Sequence, residues 1–335
     1  MAKGKTGIVA VDGATGYLGT HLIARLLELG LPVRALVHAK ANAEDLEILK
    51  KLGADVRVVR MDGGDDSLDK ALTGADVAVH LIGSIAPRKG ERLEELHVEQ
   101  TGHLVDAARR CAVSKVVMVT ALGTAPNAVS EYHRTKFRAE EKIRNGGRPY
   151  VILRPSLIFG RVIGRRDSKL IARYIDLIRT RSSVPMVGGG TNKLQPVFIS
   201  DLVTALVQSV TSDDFNGQIL EIGGADVFTM REIVETLMRT LNIEKKISDL
   251  PPPVAGVVAF FCETFQSDRP TLSSDQVRLA QVDNVCTSNA LVSKFGVTPV
   301  SLRDGLRTYV GSAGGSAGTN GPAASKDDQP TPVSH

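Results

Sequence analysis

Along the first half of the chain, short β-branched apolar runs alternate with longer segments whose apolar positions recur every three to four residues. The short runs are TGIVAV (6–11), PVRALVH (32–38), DVRVVR (55–60), DVAVHLI (76–82), KVVMVT (115–120) and YVILRP (150–155). Strands buried on both faces read this way, and helix-length links between them demand parallel βαβ units. The pattern predicts an α/β fold: a Rossmann doubly wound parallel sheet with helices on both faces. In the first link Leu18, Leu22, Ile23, Leu26 and Leu27 share one helical face, and Gly30 with Pro32 ends the helix.

After residue 156 the rhythm loosens. DSKLIARYIDLIRT (167–180) and DLVTALVQSV (201–210) read as helices, with VPMVGGGTNKLQPVFIS between them as loop then strand. Thr229 and Glu232 have capping-box spacing for a helix running to Leu241. VAGVVAFFCETF (254–265) is too short to cross a bilayer and reads as a packed helix rather than a membrane-surface or quinone-facing element. From Gly311 the chain is rich in Gly, Ser, Ala and Pro with no apolar period, the composition of a disordered tail. The expected organisation is a dinucleotide-binding domain over 1–160 with 191–212 returning to it, a smaller carboxy-terminal α/β lobe over 161–310, and the tail over 311–335.

Composition narrows the function classes. With 42% hydrophobic and 23% charged residues the chain reads as globular, and 4% aromatics without tryptophan argue against surfaces that stack bases or sugars. A net charge of +4 is too balanced for nucleic acid, though it suits a small anionic ligand. Cys111, Cys262 and Cys286 form no CxxC, and the histidines form no HxxxH, so no disulfide framework or metal site is expected. MAKGKTG leads directly into the first strand without a signal-type apolar run. These features point to a cytoplasmic protein without a transmembrane segment.

Two constellations carry chemistry. The first is VDGATGYLG, with glycines at 13, 16 and 19 between a buried strand and an amphipathic helix. In that context Gly13 allows the tight turn, Gly16 the approach of backbone to a pyrophosphate, and Gly19 close helix packing, with Thr15, Tyr17 and Leu18 lining the turn. Past the second strand, His38 and Lys40 precede any acid, the first being Glu44. A base there accommodates a 2′-phosphate, which favours NADP(H) over NAD(H). Arg34 lies on the same strand, its direction open. Asp62 in RMDGGD is either an adenine contact or a turn cap, and Gly83 lets a dinucleotide pass the end of the fourth strand.

The second constellation is SEYHRTKFRAEEKI. Tyr132 and Lys136 are four apart and lie on one helical face. A phenol titrates near 10, and a nearby ammonium with an oxidised nicotinamide favours the phenolate. Thr120, ending the preceding strand, is placed to orient a substrate oxygen; Thr124 is second choice.

Together GATGYLG, VVMVTALGT, YHRTK and VILRPSLIFG resemble the short-chain dehydrogenase/reductase superfamily in its extended and atypical branches. VPMVGGGTNKLQPVFISDLV, EIGGADVFTMREIVETL and LSSDQVRLAQVDNV resemble bacterial and organellar relatives of the NADPH-binding accessory subunit of respiratory complex I. The similarity runs from about residue 6 to 310. It implies bound NADP(H), Pro155 in LRPS beside the nicotinamide, a Thr/Tyr/Lys site, and the helix-mediated pairing common in the superfamily. Three positions depart from the pattern: Asp12 stands where threonine is usual, Thr120 where serine is usual, and His38 where arginine is common. Thr120 and Tyr132 are also close in sequence, which disfavours an epimerase of large nucleotide sugars.

The leading expectation is an NAD(P)-dependent oxidoreductase acting on a small or lipid-like carbonyl or alcohol. The alternative is a catalytically silent accessory or assembly protein of a respiratory-type membrane complex, with peripheral membrane or quinone contact; a redox-sensing regulator ranks third. Arg161, Arg165, Arg166 and Arg173 are either contacts for an anionic or lipid-like molecule or a solvated helix face.

Overall fold

The computed structural model describes residues 7–85, 90–265 and 272–310. The segment MAKGKT and the tail expected over 311–335 lie outside the described residues. Six strands occupy the places the apolar runs predict: β1 (Ile8–Val11), β2 (Val33–His38), β3 (Asp55–Val59), β4 (Ala75–His80), β5 (Lys115–Val119) and β6 (Tyr150–Pro155). Two more follow, β7 (Ser183–Val187) and β8 (Gln218–Ile222), and then β9 (Lys246–Leu250). Seven of these form one sheet in the order β8-β6-β5-β4-β1-β2-β3, every pair parallel. The strand order reverses between β1 and β4, the switch point where open α/β sheets bind ligands.

Helices cover both faces. On one side lie α1 (Tyr17–Glu28), α2 (Ala43–Lys51) and α7 (Ile199–Thr211); on the other lie α3 (Ser67–Leu72), α4 (Gln100–Arg110) and α5 (Glu131–Arg144). The α1 stripe works as its spacing predicts: Leu22, Ile23 and Leu26 are fully buried, each such side chain contributing about 1.5–3 kcal/mol. Edge strand β3 is the exception to two-sided burial, with Val58 56% exposed.

Past residue 160 the chain does not stay in the second lobe. α7 packs in the first core, β8 extends the main sheet beside β6, and Ala290, Leu291 and Phe295 join the same apolar cluster. The second lobe is built from α6 (Lys169–Thr180), the parallel β7–β9 pair and α8 (Met230–Leu241), around Ile171, Ile178, Val184, Ile233 and Leu237. Thr229 and Glu232 close the predicted capping box on α8.

One helix packs differently from expectation. α9 (Pro252–Phe265) packs through Ala255 and Ala259 alone, while its valines and phenylalanines face outward. Its apolar period was legible, but its small residues, not its large ones, are what fit against the lobe. It leads to α10 (Ser274–Leu279). Among the described residues no helix is long and apolar enough to cross a membrane.

Candidate active site

The glycine turn sits at the carboxyl end of β1. Gly13 has φ +60°, and a Cβ there would lie 2.9 Å from the Leu81 carbonyl carbon. A Cβ on Gly16 would stand 2.9 Å from the Gly13 oxygen, and one on Gly19 only 2.3 Å from that same oxygen. The turn is thus bare of side chains at three points. α1 starts at Gly16 with no side-chain cap and no acid in its first turn, which leaves its leading amides for an anion. Thr15, Tyr17 and Leu18 are half-buried around this cradle, which fits a dinucleotide pyrophosphate. The Tyr17 phenol is buried without a hydrogen-bond partner among the described residues, and burial raises its pKa, so its backbone rather than its hydroxyl faces the cradle. Gly19→Ala is expected to cost about 1–3 kcal/mol by overpacking and to lower nucleotide retention, read by thermal melting and by assay of released nucleotide.

Asp12 has a specific place. It is 1% exposed; its Oδ1 accepts from the amides of Leu81 (2.7 Å) and Ile82 (3.2 Å), and its Oδ2 meets His80 Nδ1 at 2.5 Å. His80 Nε2 reaches Thr101 Oγ1 at 2.8 Å, and Thr101 donates to the His97 carbonyl. The carboxylate ties the end of β1 to the end of β4 across the switch point.

At the adenosine end, His38 is exposed and its Nδ1 accepts from the Lys40 amide, while Lys40 is exposed beside it. Arg34 is not part of this end. Its guanidinium donates to the carbonyls of Ala71 (2.6 Å) and Thr73 (2.9 Å) and to Asp55, about 13 Å of strand away from His38. Asp62 takes the turn-cap arrangement: it accepts from the Gly64 amide and pairs with Arg60, whose guanidinium holds its carboxyl well below the usual range. Arg165 and Arg166 pair with Glu44 and Asp45 at the start of α2, which places that part of the 161–168 loop against the first lobe.

Ser130 caps α5 by accepting from the His133 amide, and the helix presents Tyr132 in its first turn and Lys136 a turn later inward, both buried. Lys136 Nζ donates to the Ile82 carbonyl at 2.7 Å; a Cβ on Gly83 would lie 2.6 Å from that nitrogen, so the glycine makes room for the ammonium. Burial pulls Lys136 down to about 8, opposed by the charges of Asp12 and Glu140. Burial also pushes Tyr132 up to about 12, so in the protein alone the phenol is a proton donor and is not lowered by Lys136. The Tyr132 ring stands edge-on to His97 and His133. His97 is neutral, pulled down to about 2 by burial first and then by Lys136. Its Nε2 accepts from the Ser84 amide, so its Nδ1 carries the proton and donates to Thr135.

The Lys136 shift has a measurable sign. The unfolded lysine keeps its proton to about 10.4, the folded one to about 8. Between those values the unfolded chain binds more protons, so the lysine's penalty is full below pH 8 and is relieved as pH rises. Urea unfolding of the nucleotide-free protein and of Lys136→Met is expected to show the wild type gaining about 1 kcal/mol relative to the variant from pH 8 to 9.

Thr120 Oγ1 donates to Glu140 Oε1 at 2.6 Å, and Thr124 donates to the Ala121 carbonyl at 2.7 Å. Each hydroxyl proton is therefore committed, and Thr120 offers a substrate only its lone pairs. Pro155 is buried at the end of β6, where its carbonyl accepts from the Leu122 amide.

Three supporting residues were missed from the sequence. Glu140, 1% exposed and four past Lys136, is held by Arg154 Nε at 2.9 Å; its spacing on the same helical face was a visible signal. Asn284 donates to the Leu122 carbonyl and accepts from Ser156, joining the ends of β5 and β6 to the carboxy-terminal segment. Asp275 accepts from the amides of Glu131 (3.1 Å) and Tyr132 (2.9 Å), capping the helix that carries the phenol. Neither of these long-range contacts had a local signal.

The family model described as "NAD dependent epimerase/dehydratase family" matches residues 9–223. The chain is 28% identical to the Arabidopsis thaliana mitochondrial NADH dehydrogenase [ubiquinone] 1 alpha subcomplex subunit 9, covering 85% of this chain and 73% of that protein. It is 27% identical to a ceramide reductase of Caulobacter vibrioides, over 76% of each. The fold superposes on Thermotoga maritima UDP-glucose 4-epimerase with a TM-score of 0.71 at 17% identity, covering 90% of this chain and 97% of that one. With the glycine cradle at the switch point and the family match over more than half its length, the chain belongs to the NAD dependent epimerase/dehydratase family.

Proposed function

We propose that this protein is an NAD(P)-dependent oxidoreductase acting on a small or lipid-like carbonyl or alcohol. The observation that carries the reading is the buried Tyr132–Lys136 pair, whose ammonium sits against Gly83 at the strand ends beside the glycine cradle. When bound, the nicotinamide supplies or accepts the hydride. The amides of Tyr17 and Leu18 would hold the pyrophosphate, with Thr15 and Gly16 forming the turn beneath it, and Pro155 would border the ring. Lys40 and His38 would meet a 2′-phosphate, which favours NADP(H), while Asp62 stays with its turn and Arg60.

In reduction, Tyr132 gives its proton to the substrate oxygen; in oxidation it takes the proton back. Lys136, released from the Ile82 carbonyl, would hold the nicotinamide ribose and stabilise the phenolate left behind. Thr120, its proton turned to Glu140, has only lone pairs to offer, so it would accept from a second hydroxyl of the substrate and would not polarise the reacting carbonyl. A lipid-like substrate is supported by the similarity to a protein named ceramide reductase. We place the activity in the cytoplasm.

The second reading, a catalytically silent nucleotide-bound accessory protein, is supported by the relatives named as NADH dehydrogenase subunits. One experiment separates the two. The nucleotide carried by the purified protein is identified after denaturation, and the loaded protein is then offered long-chain ketones and quinone analogues. Oxidation of the bound nucleotide supports the reductase; a retained nucleotide that none of these oxidises supports the accessory reading.

A further inference from the structure

The outward face of α9 is built the wrong way round for a surface helix. Val254, Val257, Val258, Phe261 and Phe265 recur at three- and four-residue steps, forming one stripe. They are 42–74% exposed, with Phe260 beside them at 61%. The inward side is made of Ala255 and Ala259, fully buried in a small cluster with Leu272 and Val277. Glu263, the one carboxylate on the helix, falls opposite the stripe by spacing and accepts from the amide (2.7 Å) and hydroxyl (2.9 Å) of Ser274. The stripe therefore carries no charge, and the helix has no lysine or arginine.

We propose that this stripe docks α9 flat on the surface of a lipid bilayer, with its valines and phenylalanines in the boundary between headgroups and acyl chains. Size argues against a second copy as the occupant. The helix is about 21 Å long and the stripe about 10 Å wide, an area of roughly 200 Å², whereas a stable dimer buries about 800 Å² per partner. A bilayer needs no matching partner surface, and an interfacial helix sinks only about 5–10 Å. Without cationic side chains on α9, docking rests on apolar burial, so zwitterionic lipid suffices.

The position of the helix gives docking a consequence. Glu263 holds Ser274, and the next residue, Asp275, caps the helix that bears Tyr132. A bilayer under α9 lies two contacts from the phenol. The docking stands on the helix itself; its use in bringing a lipid-like substrate to Tyr132 rests on the redox reading above.

The test is flotation of the full-length protein with phosphatidylcholine vesicles. The wild type is expected to float, and Val257→Asp with Phe261→Asp to lower the bound fraction about tenfold while leaving the melting temperature and nucleotide content unchanged. Binding is expected to persist in about 0.5 M NaCl, where charge interactions are screened within a few ångströms. The proposal is overturned if the wild type does not float, if the double variant floats equally well, or if binding needs anionic lipid and vanishes in salt. A lipid-free dimer that the double substitution dissolves overturns it too, in favour of a second copy. Nucleotide content is read on the same samples: its absence counts against the redox reading and leaves the flotation result standing.

Discussion

Tyr132→Phe is expected to lower turnover by on the order of 10²–10⁴ while the nucleotide stays bound. The substitution removes one oxygen from a ring that otherwise keeps its edge contacts with His97 and His133. It leaves the glycine cradle, Gly83 and the Lys136 ammonium in place. In the proposed reaction the phenol is the group whose proton is used, because the hydroxyls of Thr120 and Thr124 are already donating to Glu140 and Ala121. The loss should fall on kcat and on kcat/KM alike, the signature of an interaction made in the transition state. Steady-state kinetics beside nucleotide titration checks this; lost nucleotide binding with the fold intact would give Tyr132 a different role.

Asp12→Ala has the largest expected effect on stability, about 3–5 kcal/mol. Three donors lose their acceptor at once: the amides of Leu81 and Ile82 and the His80 Nδ1 position, all within a site 1% exposed or less at Asp12 and His80. Stranded buried donors cost about 1–3 kcal/mol each, the His80 position being fully buried and the two amides half-buried. Asp12→Asn should cost far less. Its amide oxygen can still accept from the two backbone groups, and its nitrogen can donate to His80 Nδ1 while Nε2 keeps Thr101. Denaturant unfolding of both variants tests this ordering. Equal loss in Ala and Asn would mean that charge, and not hydrogen bonding, holds the junction.

How much of this was legible follows from which forces are local. Five of the six β-branched runs became strands because two-sided burial leaves a continuous apolar signature, β3 did so as a half-exposed edge, and α1 kept the face its leucines predict. The glycine turn and the Tyr132–Lys136 spacing were readable because each needs particular residues at fixed short intervals. β8 was not, since QILEI at the sheet's edge alternates with polar positions and its partner β6 lies more than sixty residues earlier. The return of Gln218–Ile222 and Ala290–Phe295 to the first core has the same cause. α9 shows a subtler limit: periodicity reveals that a helix has two faces, but which one is covered depends on what the rest of the fold offers. Thr120 illustrates another, because its position was legible while the direction of its proton was fixed by Glu140, twenty residues on.

The central claim is that the turn through Gly13, Gly16 and Gly19 grips a dinucleotide and brings its nicotinamide to Tyr132. A crystal structure of the protein with NADPH tests it most directly. The account predicts the diphosphate against the leading amides of α1, the 2′-phosphate beside Lys40, and the phenol of Tyr132 facing the nicotinamide with Lys136 turned from Ile82 to the ribose. A nucleotide bound elsewhere, or a phenol that points away from the ring, would contradict it.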